Sequence, residues 1–257
     1  MNRFRPVSVR LLSAAAALAA GFAAPAAKAE SAAPTVVELF TSQGCYSCPP
    51  AEAFLRDLAD EKTVLALEFH VDYWDELVYG AAGKWKDVYS KHEFTVRQAG
   101  YNQRIKGRGN VYTPQMVIGG QLEAVGSQRL AVLSAIRSVE AARVSRIAVA
   151  VTGAGSGVTR VSLSGGGKPG AGQATVWLVR FLHEGATEVR SGENKGKSLH
   201  NRNVVTEFRR IGDWQGRDVA IDVPDFRLKD GEGCAVLVQD DRWGPILGAA
   251  ACPSPSG

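Results

Sequence analysis

The chain has 257 residues, 30 Lys plus Arg against 26 Asp plus Glu, and four cysteines. Four of the basic residues (Arg3, Arg5, Arg10 and Lys28) fall within residues 1–29, which hold no acid, so the remainder balances 26 bases with 26 acids. The electrostatic footprint of a nucleic-acid-binding protein is therefore missing, and the length exceeds what one small core needs.

The chain opens MNRFRPVSVR, continues LLSAAAALAAGFAA and reaches Ala27-Lys28-Ala29. A charged start, an apolar run and an A-x-A site predict a secretory signal peptide over 1–29, cleaved after Ala29. The apolar run is about 14 residues, short of the roughly 20 that span a bilayer. The expectation is a secreted or periplasmic protein without stable membrane insertion after cleavage. All four cysteines would then enter an oxidising compartment, where disulfides persist.

Residues 34–143 alternate two periodicities. VVELF (36–40) and VLALEFH (64–70) read as strands, and PPAEAFLRDLAD (49–60) repeats apolar residues on one helical face. The segment 84–107 reads as a long polar helix. QMVIGGQLEAV (115–125) reads as two short strands about Gly119-Gly120, and QRLAVLSAIRSVEAA (128–142) as an amphipathic helix. Strands alternating with helices predict an α/β layer.

Residues 146–253 change texture. RIAVAVTG, TRVSLSG, ATVWLVRFLHEG, RDVAIDVPD and CAVLVQD are short β-branched runs between glycine-rich turns, the pattern of a small all-β sandwich or barrel. In CAVLVQDDRWGPILGAAAC the midpoint between Cys234 and Cys252 is Trp243, inside the turn-rich DDRWGP. A hairpin closing there would set the two cysteines opposite one another, at a non-hydrogen-bonded pair with Cα atoms about 4.5 Å apart. A structural disulfide Cys234–Cys252 is expected.

Cys45 and Cys48 then form a C-x-x-C between a strand and a helix start. A helix N-terminus favours thiolate over thiol, so Cys45 would attack a partner and Cys48 would resolve the mixed disulfide. Zinc clips use the same spacing, although no second C-x-x-C occurs. Pro49-Pro50 place the helix start near Cys48, because proline suits the first turn.

VYTPQMVIGGQLEAVG (111–126) resembles the second half of the thioredoxin fold. By that resemblance Pro114 is a cis-proline against the C-x-x-C loop and Thr113 faces the substrate. The wider set VELFTSQGCYSCPPAEAFL, FHVDYWD, FTVRQAGYN, VYTPQMVIGG and SGENKGKSLHNRNVV resembles an exported bacterial family of thioredoxin-like proteins, the domain-of-unknown-function family DUF1223. The resemblance covers nearly all of the chain after residue 29. It implies an α/β thioredoxin-like domain (34–143) followed by a small all-β domain (146–253), and it implies no established substrate. Gly44 and Tyr46-Ser47 depart from the ordinary thioredoxin sequence around the cysteines.

His70 ends a strand on the side where helix N-termini gather; it could tune Cys45, complete a Cys45–Cys48–His70 metal site, or be held in place by hydrogen bonds. Asp72, Tyr73, Trp74 and Asp75 form a loop cluster suited to a binding rim or to filling a gap. Glu68 could shuttle protons for the resolving thiol, but strand alternation favours an outward side chain. Glu193, Asn194, Lys195, His200, Asn201 and Asn203 lie in a polar loop suited to an interdomain or substrate surface.

Two functions follow. The first is an exported thiol–disulfide oxidoreductase needing no cofactor, with Cys45 and Cys48 catalytic, Thr113, Pro114, His70, Asp72, Tyr73 and Trp74 contacting a protein or small-molecule thiol or disulfide. The second is a non-catalytic binding protein, or a Cu/Zn-handling module, in which the C-x-x-C supplies ligands or a structural disulfide.

Overall fold

The computed structural model describes residues 33–77, 85–142, 147–154, 157–165, 170 and 172–253, besides Met1. The signal peptide expected over 1–29 and the boundary expected at 143–146 lie outside the described residues. The chain builds β1 (Thr35–Thr41), α1 (Pro49–Ala59), β2 (Val64–His70), α2 (Tyr73–Leu77), α3 (His92–Lys106), β3 (Gln115–Ile118), β4 (Leu122–Val125) and α4 (Arg129–Ala141). It continues with β5 (Ala148–Thr152), β6 (Gly157–Ser164), β7 (Ala174–Glu188), β8 (Ser198–Trp214), β9 (Val219–Phe226), β10 (Glu232–Asp240) and β11 (Ile246–Ala251).

These strands overturn the expected thioredoxin-like α/β fold followed by a small all-β body. The molecule is mostly β, and eight strands make one mixed sheet in the order β11-β10-β7-β8-β2-β1-β3-β4. Strands β5-β6-β9 form a second sheet. The cause lies in β8, whose SLHNRNVV start is polar and lacks the apolar alternation of a strand. It joins β2 in parallel at Glu68↔Val204. Side chains complete the seam: Asn203 donates to the Ala66 carbonyl (3.0 Å) and Asn201 donates to Glu68 Oε1 (2.6 Å). Asn203 takes a positive φ of 52° there, a conformation asparagine tolerates better than most residues.

Period-2 alternation assigns the faces. From β1, Val36 and Phe40 enter the core beneath α3 with Phe69, Phe94 and Tyr101, while Val37 and Leu39 enter the core beneath α1 and α4 with Phe54, Leu55 and Ile136. The small sheet buries Val161, Leu163 and Phe226 against Val176, Leu178 and Val236 of the large one.

Inside the α3 core, Glu38 accepts both Arg97 Nε (2.7 Å) and Arg97 Nη2 (2.8 Å). The guanidinium also lies 4.2 Å from the Phe208 ring centre and 5.9 Å from that of Trp243. A buried fork with aromatic faces suits arginine and no other cation. Trp243 approaches α3 at Gly100, where a Cβ would lie 2.3 Å from the indole.

The long helix expected over 84–107 is shorter. Residues 85–91 form an irregular loop before α3, because Asp87 turns inward to cap neighbouring amides instead of continuing a helical turn. The hairpin expected about DDRWGP forms as β10–β11, and Cys234–Cys252 are joined with Cα atoms 5.2 Å apart. Cys252 N–H donates to the Cys234 carbonyl (2.7 Å), so the bridge sits at a hydrogen-bonded position rather than the expected non-hydrogen-bonded one.

Candidate functional site

At the C-terminal end of β1 the chain turns through Ser42–Ser47 into α1. Cys48 is the N-cap and the two prolines occupy the first helical positions. Cys45 N–H donates to the Ser42 carbonyl (3.0 Å), and Gly44 N–H donates to Ser42 Oγ (3.1 Å). Cys45 and Cys48 form a disulfide with Cα atoms 5.4 Å apart. Both are fully buried, although Tyr46 between them is 67% exposed.

The cover comes from the β7–β8 connection. Asn194 Nδ2 donates to the carbonyls of Gln43 (2.9 Å) and Cys45 (2.8 Å). Glu193 Oε2 accepts Tyr46 N–H (2.9 Å), and Lys197 Nζ donates to Asn194 Oδ1 (2.8 Å) while lying 4.8 Å from the Tyr46 ring centre. Glu193 and Asn194 of the polar loop thus meet the C-x-x-C directly. His200 lies farther off, beside α1, where its carbonyl accepts Arg56 Nη2 (2.9 Å).

Beneath the disulfide lies a cluster of ionisable side chains. Thr41, Glu68 and His70 belong to one sheet face, since Thr41 pairs His70 across β1–β2 and Glu68 is two residues from His70. Strand alternation does turn Glu68 away from the α3 core, but α1 covers that other face, and Glu68 is fully buried rather than outward. His70 lies between two carboxylates, Nδ1 2.7 Å from Asp87 Oδ2 and Nε2 3.0 Å from Glu68 Oε1. Both ring nitrogens are engaged, leaving no imidazole lone pair for a metal shared with Cys45 and Cys48. Among the described residues no group of three His, Cys, Asp or Glu is arranged to hold a metal ion.

Burial opposes the charge on His70, but the facing Asp87 and Glu68 carboxylates hold its pKa well above the usual histidine value. Burial likewise opposes ionised Asp87, yet His70 and the amides of Gln43 and Tyr89 keep it below the usual carboxylate value. Glu52, on the first turn of α1, shows the opposite balance. Burial first, then the neighbouring Glu68 charge, push it up to about 8, against the hydroxyl of Thr41 donating to Oε1 at 2.6 Å. Glu52 N–H donates to the Cys48 carbonyl (3.1 Å), so its side chain follows Cys48 by one turn on the same helix face.

Glu52 also borders an open cleft of about 410 Å³ together with Pro49, Arg56, Glu184, Leu199 and His200. Sequence reading missed Glu52 and Asp87. Glu52 had a signal: it sits beside Ala51 and Leu55 within the apolar stripe of α1. Asp87 had none, because its partner His70 is 17 residues away.

The Thr113–Pro114 peptide is cis. Gln115 pairs with Phe40, so one further residue along the ladder sets buried Pro114 level with Thr41, at the end of β1 that leads into the C-x-x-C. Thr113 Oγ1 accepts the Trp74 indole N–H (2.7 Å). Asp72 ties to the first turn of α3, accepting Thr95 Oγ1–H at 2.6 Å while its own amide donates to that oxygen at 3.2 Å. Tyr73 packs against the α3 core, and burial pushes its phenol up to about 12. Asp72 and Trp74 therefore hydrogen-bond to α3 and to Thr113, and Tyr73 packs against the α3 core, so all three brace that framework.

The crystal structure of protein AGR_C_4864 from Agrobacterium tumefaciens is similar to this fold, with a TM-score of 0.72 and 29% identity over 87% of this chain and 96% of that one. No curated protein of assigned function matches the chain. The sequence profile described as "Protein of unknown function (DUF1223)" matches residues 36–239. The chain belongs to the DUF1223 family.

Proposed function

We propose that the protein is an exported thiol–disulfide oxidoreductase acting through Cys45 and Cys48 on a thiol-bearing partner. The observation that carries this reading is Glu52: a buried carboxyl one helical turn from Cys48, pushed up to about 8 by burial and the Glu68 charge, on a residue that borders an open cleft. A disulfide used only as a staple has no need of a proton donor behind it, whereas thiol exchange must move a proton at each step.

The exchange runs as follows in the oxidising direction. A partner thiolate attacks Cys45 Sγ, the Cys45–Cys48 bond breaks, and the Cys48 sulfur leaves as thiolate and takes the proton of Glu52. A second partner thiolate then attacks the partner sulfur of the mixed disulfide, releasing Cys45. The partner becomes a disulfide, and the protein, reduced by two electrons, holds two thiols once Cys45 gains a proton released by the partner thiols. The reverse sequence reduces a partner disulfide. Glu68, His70 and Asp87 set the field in which Glu52 titrates. The charged start and A-x-A site of residues 1–29 support export, which supplies an oxidising setting for this chemistry.

One observation favours a second reading, a structural crosslink: neither sulfur is exposed. Catalysis of oxidation of a reduced, cysteine-containing peptide decides between them. Turnover that is lost in Cys45→Ser and in Cys48→Ser supports the oxidoreductase; equal rates with and without the protein favour the crosslink.

A further inference from the structure

The cover over the disulfide is built from side chains, not from packed apolar surface. Asn194 is fully buried and spends both of its N–H groups on main-chain carbonyls that flank Cys45. Glu193 takes the Tyr46 amide. Neither residue contributes to the three apolar cores, so the tip can leave without opening them. A second observation concerns the residue whose carbonyl Asn194 holds. Gln43 is fully buried, and neither atom of its side-chain amide has a hydrogen-bond partner among the described residues. A buried amide without partners costs free energy that a bound group can recover.

We propose that residues 192–197, the tip of the β7–β8 hairpin, are a displaceable plug standing where a polypeptide thiol substrate docks. Lifting the tip frees the Gln43 carbonyl and the Tyr46 N–H and leaves the Cys45 carbonyl with only the Cys48 N–H. That set mixes acceptors and a donor within four residues of main chain, 43–46, which an extended polypeptide can match and a small thiol cannot. The inference rests on the exchange reading of the same disulfide, but its test needs no turnover.

The test follows reduction of each disulfide in the oxidised whole protein by mass spectrometry after alkylation. Dithiothreitol is one reductant and an unstructured dithiol peptide the other. In each case a reductant thiolate attacks one protein sulfur, the S–S bond breaks, and the reductant ends as a disulfide. Asn194→Ala and Glu193→Ala each remove a different tie. Each variant is expected to speed reduction of Cys45–Cys48 by dithiothreitol about tenfold, the effect of losing one or two hydrogen bonds, while Cys234–Cys252 keeps its wild-type rate. In the opened variants the peptide should react faster than dithiothreitol at equal thiol concentration.

Unchanged Cys45–Cys48 rates in both variants, or equal acceleration of both disulfides through general loosening, would overturn the plug. A peptide slower than dithiothreitol in the opened variants would overturn polypeptide docking. Faster reduction without any catalysed peptide oxidation would keep the plug and remove the oxidoreductase reading, so the two failures are distinguishable.

Discussion

The hydroxyl of Thr41 donates to Glu52 Oε1 at 2.6 Å, joining the last residue of β1 to the first turn of α1 beneath the Cys45–Cys48 disulfide. This bond favours the ionised carboxyl, yet burial and the charge of Glu68 outweigh it and hold Glu52 near 8. The folded state thus keeps a proton that the unfolded chain releases above about pH 4.5. Stability contributed by this group is full below that pH and falls as pH rises toward 8, by on the order of a few kcal/mol.

Glu52→Gln keeps the shape and removes the titration. Its stability relative to the wild type is expected to rise between pH 5 and pH 8, read by urea unfolding at the two values. A difference that does not change with pH would place Glu52 in its ionised form and remove it as a proton donor to Cys48.

His70 has the same pH direction for a different reason, a cation held by two carboxylates. Its folded pKa is raised, so the stability it adds is fully present below its unfolded value of about 6.5 and is lost as pH climbs through the folded one. His70→Asn leaves the Glu68 and Asp87 carboxylates buried without their shared cation, a loss of roughly 3–5 kcal/mol. Denaturant midpoints should show the deficit largest at pH 6 and smaller in alkali. A deficit that grows with pH would contradict the imidazolium.

Gly100 faces the Trp243 indole with no room for a Cβ. Gly100→Ala is expected to cost about 1–3 kcal/mol by overpacking, and Trp243→Leu should recover part of that cost in the double variant. Because Trp243 also faces the Arg97 guanidinium, Trp243→Leu alone should be destabilising as well. Additive losses in a double-mutant cycle would mean that the two residues do not meet.

Much of this molecule was legible from residue pattern. The apolar runs of β1 and β2, the double proline at the start of α1, and the Cys234–Cys252 hairpin about Trp243 each follow from local chemistry. The architecture did not, because the seam between β2 and β8 uses Asn201 and Asn203 in place of an apolar ladder. A strand built from HNRN carries no periodic signal, so the two halves read as an α/β layer and a separate small β body although their strands share one sheet. The site was half legible for a related reason. The cysteine spacing is local, but burial of Glu68 depends on α1 covering its sheet face, and Asp87 reaches His70 only after the intervening chain has folded.

The Cys234–Cys252 bridge closes a loop with a sequence separation of 18. Replacing both cysteines by alanine is expected to cost about 2–4 kcal/mol in urea unfolding, while leaving the Cys45–Cys48 exchange rate unchanged. Loss of exchange in that variant at a temperature where it stays folded would tie the two disulfides together.

The reduction potential of Cys45–Cys48, measured in the whole protein against a glutathione or dithiothreitol buffer, tests the redox role most directly. A working exchange pair should lie between about −120 and −270 mV, the span of dithiol oxidoreductases. A value below about −300 mV, where structural disulfides lie, would contradict it and leave the buried bridge as a staple for the turn into α1.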